Sequence, residues 1–464
     1  MAIYSLPSVY QLEETGDLPW DCWTVAHLER GVPWKKPSLI YTSQRTRWRK
    51  PLNLDHTHVA VIGAGVAGLT AADALAGWGV HISLFEKTPF LGGHAIQLNC
   101  KATDACVKCG ACVAEDKLRR ATRHPNIKIY AGTQIEAVSG RCPYQIAYRT
   151  HSLLVNADRC NGCGICFQKC PVPGAIVQGR APRVGPYVAI RRDLCRYFDN
   201  AACTLCRDTC PQGAIDLSAR AQAGTIQANA IFMATGFSPY NPSDKPYGYG
   251  RFANVITSLD AERLLREHAV MKRPSDGRPA GRIAFVQCVG SRDAQLGHPW
   301  CSKICCGSSL RMARLIQSRQ KDAQITFFYI DVQTFGKDFQ SFYRSARENI
   351  RMVRAIPGDI LRTDTDELEV IYFDPDTHAS KESLFDIVVL SVGLLPAGDN
   401  GRMARILDWT ADESGFMPIH GSGRYPAPAG IFTAGAATGP MTIAESVSSA
   451  EKTVFDIVRY LTAS

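Results

Sequence analysis

The 464-residue chain has no run of 18 apolar residues, so no segment is expected to cross a bilayer as a helix. Its start, Met1-Ala-Ile-Tyr-Ser-Leu-Pro, has no charged segment leading into an apolar stretch, so it does not read as a secretory signal, and a cytoplasmic location is expected. No Ser/His/Asp set and no pair of carboxylates stands out that would suit hydrolysis. Charge of one sign is in modest excess: 52 Lys+Arg against 43 Asp+Glu give +9. The basic residues are scattered, and nucleic acid is not an expected partner. Apolar residues at 45% and charged residues at 20% exclude a disordered or fibrous chain. The length allows two or three domains.

What is abundant is cysteine, with 18 residues. In a reducing compartment these are expected to hold metal rather than pair as disulfides. Cys160-x2-Cys163-x2-Cys166-x3-Cys170-Pro171 is the spacing of a bacterial ferredoxin. A second half follows, Cys195 and then Cys203-x2-Cys206-x3-Cys210-Pro211, with seven residues rather than two after its first cysteine. In such proteins the fourth cysteine of each run serves the other cluster. Cys160, Cys163, Cys166 and Cys210 are therefore expected to hold one [4Fe–4S] cluster, and Cys170, Cys195, Cys203 and Cys206 another. Zinc is the competing reading, disfavoured by the Cys-Pro endings. Without Cys195 the second site would be a three-iron cluster.

A third quartet is Cys100-x5-Cys106-x2-Cys109-x2-Cys112, where Gly110 and Ala111 permit a tight loop; zinc stays open there. A fourth is Cys288, Cys301, Cys305 and Cys306, whose adjacent last pair is unusual for a cubane. Cys22 and Cys142 are left over as packed or free thiols. Four oxidised clusters would contribute about −8 in charge and nearly cancel the basic excess.

Around these cysteines lies a nucleotide-binding pattern. The strand His58–Gly63 runs into Gly63-Ala-Gly65-Val-Ala-Gly68, then a helix expected over Leu69–Trp78 and a second strand, His81–Phe85, ending in Glu86. Gly63 permits the turn, Gly65 lets a pyrophosphate approach, and Gly68 lets helix and strand pack closely. The helix N-terminus would face the phosphates, and Glu86 the ribose. FAD is favoured over NAD because Glu86-Lys87 is followed by Gly92-Gly93, a pair common in two-dinucleotide flavoproteins. Later, Ala230 to Gly236 reads as a strand ending in an Ala-Thr235-Gly236 turn. Gly430 to Gly435 repeats the pattern before a helix expected over Ile443–Leu461. Such proteins usually carry Asp after that last glycine; here it is Ala436.

The fourth quartet sits inside another β–α–β pattern: a strand over Ile283–Gln287, a helix over Ser302–Gln317, and a strand over Ile325–Ile330 ending in Asp331. Cysteines stand where a phosphate-binding glycine loop would belong. The half-domain is thus expected to be a nucleotide site turned into a cluster site. Lys337, in a turn before a helix expected over Phe339–Asn349, is a candidate cation near the flavin; the bland reading is a solvent-facing lysine.

Gln287-Cys-Val-Gly-Ser-Arg-Asp293, Cys301-Ser-Lys-Ile-Cys-Cys306, Tyr247-Gly-Tyr-Gly-Arg251, His124-Pro-Asn-Ile127 and Thr334-Phe-Gly-Lys337 together resemble the heterodisulfide reductase A-subunit family. That family includes relatives in quinone-interacting complexes. The resemblance covers residue 57 or so to the end. It implies a thioredoxin-reductase-like α/β flavoprotein with an inserted 2[4Fe–4S] ferredoxin domain, and a fourth-quartet [4Fe–4S] cluster near the flavin. It further implies an oxidoreductase component of a hetero-oligomer, fed by an electron-donor protein. Its partners would be subunits of a heterodisulfide-reductase-like or quinone-interacting complex, with docking to a membrane subunit left open. Some members bifurcate electron pairs at the flavin. This chain departs from full-length relatives in stopping at Ser464, before a further ferredoxin module, and in its N-terminal extension.

The expected domains are an extension at 1–55, FAD-binding segments at 56–155 and 226–275 with a cluster loop at 100–112, and a ferredoxin insert at 156–225. The nucleotide-like half-domain covers 276–395, and a closing segment 396–464. The extension turns from acidic to basic and carries Trp20, Trp23 and Trp34; a solvated arm and a partner-docking arm are both open. Two further functional readings remain: an NAD(P)H:ferredoxin-type oxidoreductase, which would need a second glycine loop, and a non-catalytic cluster-bearing scaffold.

Overall fold

The computed structural model describes residues 54–151, 153–156, 159–179, 188–201, 203–333, 337–419 and 427–463. Residues 1–53 of the N-terminal extension, Cys22 among them, lie outside the described residues.

The chain begins with β1 (His58–Ile62), α1 (Val66–Gly77) and β2 (His81–Glu86). Val59, Ala60 and Val61 are fully buried because both faces of β1 are covered. α1 is rich in Ala and Leu and is buried along most of its length. It starts at Val66, not at the expected Leu69, because the glycine turn itself closes its first bond, Leu69 N–H to the Gly65 carbonyl at 2.9 Å. Next come α2 (Ala111–Ala121) and β3 (Ile127–Ala131), then the antiparallel pair β4 (Thr133–Ser139) and β5 (Tyr144–Thr150).

After β5 the chain leaves the flavin-type half. The excursion holds α3 (Ile165–Lys169), β6 (Ile176–Gln178), β7 (Val188–Ile190), α4 (Tyr197–Asn200) and α5 (Leu205–Asp208). It has its own small core, in which Leu154, Ile176, Val188, Ile190 and Ile215 pack with Cys166, Cys195 and Cys206. The chain returns through β8 (Gln222–Ala228), which pairs with β5 from Thr150 opposite Gln222 to Tyr144 opposite Ala228. The ladder thus puts the excursion at 151–221, a few residues earlier at each end than the 156–225 expected.

β9 (Ala230–Met233) adds to β1 in parallel. β10 (Phe237–Pro239) leads to β11 (Val255–Thr257) and α6 (Ser258–Glu267), opened by a capping box between Thr257 and Asp260. The second half continues as β12 (Arg282–Val289), α7 (Cys305–Arg319), β13 (Gln324–Phe328), α8 (Phe339–Arg347) and β14 (Arg351–Val353). α7 starts three residues later than expected, because Lys303 is in the left-handed region at φ +62°. A three-stranded meander follows, β15 (Asp359–Arg362), β16 (Leu368–Asp374) and β17 (Ala379–Phe385), then β18 (Ile387–Val392) and β19 (Leu394–Pro396). The chain ends with α9 (Asn400–Ile406), β20 (Ile431–Thr433) and α10 (Ile443–Ala463).

Two all-parallel sheets organise the molecule: β20-β9-β1-β2-β3 and β11-β18-β12-β13-β14. Each is covered on both faces by apolar clusters. The short antiparallel pair β10–β19 links them. No described helix is long and apolar enough to cross a membrane.

Candidate flavin and iron–sulfur sites

The carboxyl ends of β1, β2 and β9 open onto a cavity of about 850 Å³, within the range for cofactor pockets. Gly63, Gly65, Glu86, Lys87, Gly92, Gly93, Thr235, Gly236 and Ala436 line it. The glycines divide by role. A Cβ on Gly63, at φ +104°, would stand 2.3 Å from the Ala234 carbonyl oxygen, and one on Gly68 would stand 1.8 Å from that of Gly63. A Cβ on Gly435 would meet Ala67 at 2.5 Å. Gly68 and Gly435 are therefore packing positions behind the cavity. A Cβ on Gly65 would meet nothing within 4 Å, which is the open approach a pyrophosphate needs.

No side chain caps the N-terminus of α1, so its first N–H groups are left for an anion. Glu86 is fixed at 8% exposure, accepting from Ala64 N–H, Thr88 N–H and Thr88 Oγ1 at 2.8–2.9 Å. Lys87 pairs with Asp399 at 2.9 Å, and Thr235 Oγ1 meets Asn400 Oδ1 at 2.9 Å.

Other cavity residues carry no local sequence signal. His94 stacks on Phe237 and donates to its carbonyl at 3.2 Å; burial lowers its pKa. Arg402 also lines the cavity. Val177, Gln178, Gly179 and Arg191 come from the ferredoxin-like excursion, so that module forms part of the flavin-site wall. Lys337 is exposed at the turn before α8 and is not among the lining residues. Among the described residues, the Lys and Arg on the wall are Lys87, Arg191 and Arg402. Thr334, Phe335 and Gly336 lie outside the described residues.

In the excursion, Cys160, Cys163, Cys166 and Cys210 line one small cavity, and Cys170, Cys195, Cys203 and Cys206 line a second. Left-handed Gly162 and Gly164 bend the first loop, and left-handed Ala201 shapes the longer run after Cys195. Ala214 N–H donates to Cys210 Sγ at 3.4 Å. Burial pushes the Cys166 thiol up, and the Cys206 thiol up to about 11.

The fourth set converges at the β12–α7 turn. Cys288 ends the regular part of β12 at φ +59°, and Cys305 and Cys306 both fall in the first turn of α7, buried. Cys288, Cys301 and Cys306 all raise the Cys305 pKa, after the larger effect of burial. Burial pushes Cys288 up to about 11. Three buried polar atoms on the segments around this turn lack a partner: Gln287 Oε1, Ser291 Oγ and Tyr240 Oη. The Ser291 and Tyr240 hydroxyls, as free donors, fit a site whose remaining partner is an acceptor such as the sulfide of a cluster. Gly290 differs from Gly65, since a Cβ there would stand 2.1 Å from the Tyr240 ring. The turn is filled by an aromatic side chain rather than open to a phosphate.

The third set is less gathered. Cys112 opens α2, Cys106 and Cys109 lie in the field of the Arg311 guanidinium, and Cys100, Cys106 and Cys112 are exposed. Lys108 and Gly110 are left-handed, and the buried Thr103 Oγ1 inside the loop has no partner. Cys142 is exposed. Among the described residues no group of three or more His, Cys, Asp or Glu converges as ligands of a single ion would.

Residues 61–111 match the family described as "NAD(P)-binding Rossmann-like domain", and residues 153–173 match "4Fe-4S binding domain". The thioredoxin reductase of Lactococcus lactis superposes with a TM-score of 0.50 at 14% identity, over 88% of this chain and all of that one. The A subunit of the "H(2):CoB-CoM heterodisulfide,ferredoxin reductase" of Methanothermobacter thermautotrophicus is 32% identical over 93% of this chain and 68% of its own length. The counterpart from Methanothermobacter marburgensis is 31% identical with the same coverage. A second iron–sulfur A subunit of the "CoB--CoM heterodisulfide reductase" of Methanopyrus kandleri is 34% identical over 84% of this chain and 62% of its own length.

Fold and site define an iron–sulfur flavoprotein oxidoreductase of the two-dinucleotide-binding class, with FAD and [4Fe–4S] as its cofactors. More particularly, the chain belongs to the heterodisulfide reductase A-subunit family.

Proposed function

We propose that this chain is the electron-transfer component of a heterodisulfide-reductase-like complex, carrying FAD and four [4Fe–4S] clusters. Cys160, Cys163, Cys166 and Cys210 ligate one cluster, and Cys170, Cys195, Cys203 and Cys206 a second. Cys100, Cys106, Cys109 and Cys112 ligate a third; Cys288, Cys301, Cys305 and Cys306 a fourth. Gly63, Gly65 and the α1 N-terminus seat the pyrophosphate, Glu86 takes the ribose, and Gly92, Gly93, Thr235, Gly236 and Ala436 shape the rest of the pocket. Bound flavin supplies conversion between electron pairs and single electrons. The chain's own residues fix where that happens.

The observation that carries this reading is the shared wall: Gln178 and Arg191 of the excursion line the same cavity as the glycine loop. One-electron carriers are thus built against a two-electron site. The surrounding partners are an electron-donor protein and a disulfide- or quinone-reducing subunit, in the cytoplasm or docked to a membrane subunit. The names of the Methanothermobacter relatives carry both a heterodisulfide and ferredoxin; by that likeness the flavin here divides electron pairs between two routes.

The test is an anaerobic titration of the reconstituted protein with NADH and NADPH, following flavin bleaching. No bleaching by either, with full reduction by dithionite, is the expected result. Rapid bleaching by a nucleotide would instead make the chain an NAD(P)H:ferredoxin-type oxidoreductase.

A further inference from the structure

Lys101 and Glu262 form an ion pair at 2.5 Å with both side chains only 2% exposed. Removing two charges from water is costly, and an apolar pair of the same size would often be no less stable. This pair does more than fill space. Glu262 Oε2 accepts from the Asn99 N–H at 3.0 Å, and Lys101 Nζ donates to the Asn99 carbonyl at 2.9 Å. Glu262 Oε1 also meets Ser308 Oγ at 3.5 Å, two residues after Cys306 in α7. One buried carboxylate therefore joins the residues flanking Cys100 to the helix turn bearing Cys305 and Cys306.

Neighbouring contacts act in the same sense. Asn99 Nδ2 donates to the Leu265 carbonyl at 3.1 Å, and Arg266 to the Ile96 carbonyl at 2.8 Å, both on α6. Arg311 of α7 donates to the Val107 carbonyl at 2.7 Å. The loop containing the third quartet begins in the flavin-type half but is fastened to helices α6 and α7 of the other half. Its own cysteines are mostly exposed, so burial of the ligands does not hold it.

We propose that Glu262, with Lys101, is the positioning pair that holds the Cys100–Cys112 loop at a fixed separation from the Cys288/Cys301/Cys305/Cys306 set. The proposal rests on the reading of both sets as cluster ligands. Clusters held by the two cysteine sets would exchange single electrons, and Glu262 with Lys101 would fix the separation of those sets. No bond forms or breaks and no proton moves. The exchange depends steeply on distance, and a clamp from a single rigid carboxylate fixes it.

The test uses the full chain reconstituted with iron and sulfide and reduced by dithionite. Its readouts are iron per chain, the magnetic splitting between reduced clusters in the paramagnetic resonance spectrum, and the midpoint potential of each cluster. In Glu262→Gln the carboxylate charge is gone and Lys101 loses its ion-pair partner. The expected result is retained ferredoxin-type splitting from the excursion, with the splitting between third and fourth clusters lost and the third cluster's potential shifted. Should Glu262→Gln fail to fold, the double variant Lys101→Met/Glu262→Leu keeps the volume and removes both charges, and the same loss is expected. Wild-type splitting and potentials in a folded, fully loaded variant would overturn the clamp alone. A wild-type chain that loads only three clusters, with none at Cys100–Cys112, would overturn the ligand reading and the clamp with it.

Discussion

The guanidinium of Arg292 grips the carboxylate of Asp331 with two hydrogen bonds, 2.5 and 3.0 Å long. Asp331 follows β13, where a nucleotide-binding half-domain would offer an acid to a ribose. Here that acid is already taken, and Arg292 holds its carboxyl below the usual carboxylate range. The same guanidinium lies in the field of Cys288 and Cys301. Arg292→Gln frees that acid, but the Tyr240 ring still fills the turn where a phosphate would sit, so the flavin should stay unresponsive to NADH and NADPH. The substitution should move the fourth cluster to a more negative potential, because a cation that favours the reduced cluster is gone. The shift should be on the order of tens of millivolts, given about 59 mV per tenfold change for one electron. Loss of this partly exposed pair should cost only about 0.5–1 kcal/mol in stability. A potentiometric titration followed by paramagnetic resonance measures the first effect, and thermal unfolding the second.

Gly65 and Gly68 should respond differently to the same change. In Gly65→Ala the methyl meets no protein atom, so the fold should survive and only the approach of the pyrophosphate should be blocked. Purified Gly65→Ala should show native circular dichroism and full iron, with flavin absorbance reduced at least about tenfold, since 1.4 kcal/mol already gives that factor. In Gly68→Ala the methyl would be driven into the Gly63 carbonyl, costing about 1–3 kcal/mol by overpacking, and its melting temperature should fall with flavin loss. Equal melting temperatures for the two variants would contradict this division.

Two half-buried histidines give a pH dependence. Burial lowers the pKa of His94, with Glu86 and Lys87 acting on it in opposite directions, and also that of His58, with His81 adding to the effect. Each folded pKa lies below the unfolded value of about 6.5. The unfolded chain therefore takes up protons first as pH falls, and stability declines below about pH 6.5 while staying flat above it. The double variant His58→Gln/His94→Gln should show a shallower fall in melting temperature between about pH 6.5 and 5.5 than the wild type. An unchanged slope would place the titration elsewhere.

Features built from neighbouring residues were the legible ones. Gly63, Gly65 and Glu86 sit in a single strand–turn–helix–strand unit whose chemistry is local, and the ferredoxin spacing from Cys160 to Cys170 is fixed by one short loop. The fourth quartet could be gathered because strand and helix patterns flank it. What could not be read were relationships across the fold. Gln178 and Arg191 reach the flavin cavity only because β5 and β8 close the excursion back onto its starting point. Glu262 meets Lys101 only through the packing of α6 against the loop at 99–101. Lys337 could be placed near a helix but not on either side of it, and the turn carries it to the surface. The start of α7 depended on one left-handed residue, Lys303, that propensity does not foresee.

Arg191 offers the most direct probe of the shared wall. Its backbone is tied into the excursion: its N–H donates to the Ala175 carbonyl, and its own carbonyl accepts from Cys195 N–H. Its guanidinium pairs with Asp193 at the surface, and the residue lines the flavin cavity. Because the pair with Asp193 is solvent-exposed, Arg191→Ala should unfold nothing and should leave the iron content intact. A cation at the cavity wall, however, favours a flavin that gains negative charge on reduction. Removing it should move the flavin potential to a more negative value and weaken flavin retention on dilution. Asp193→Asn frees the guanidinium from its partner without removing it, and should move the potential the opposite way or not at all. If Arg191→Ala leaves both potential and retention unchanged while Arg402→Ala alters them, the cation that matters comes from the flavin-type half, and the excursion contributes only contact surface. If Arg191→Ala alone acts, the module that carries the ferredoxin cysteines also sets the electron affinity of the flavin it faces.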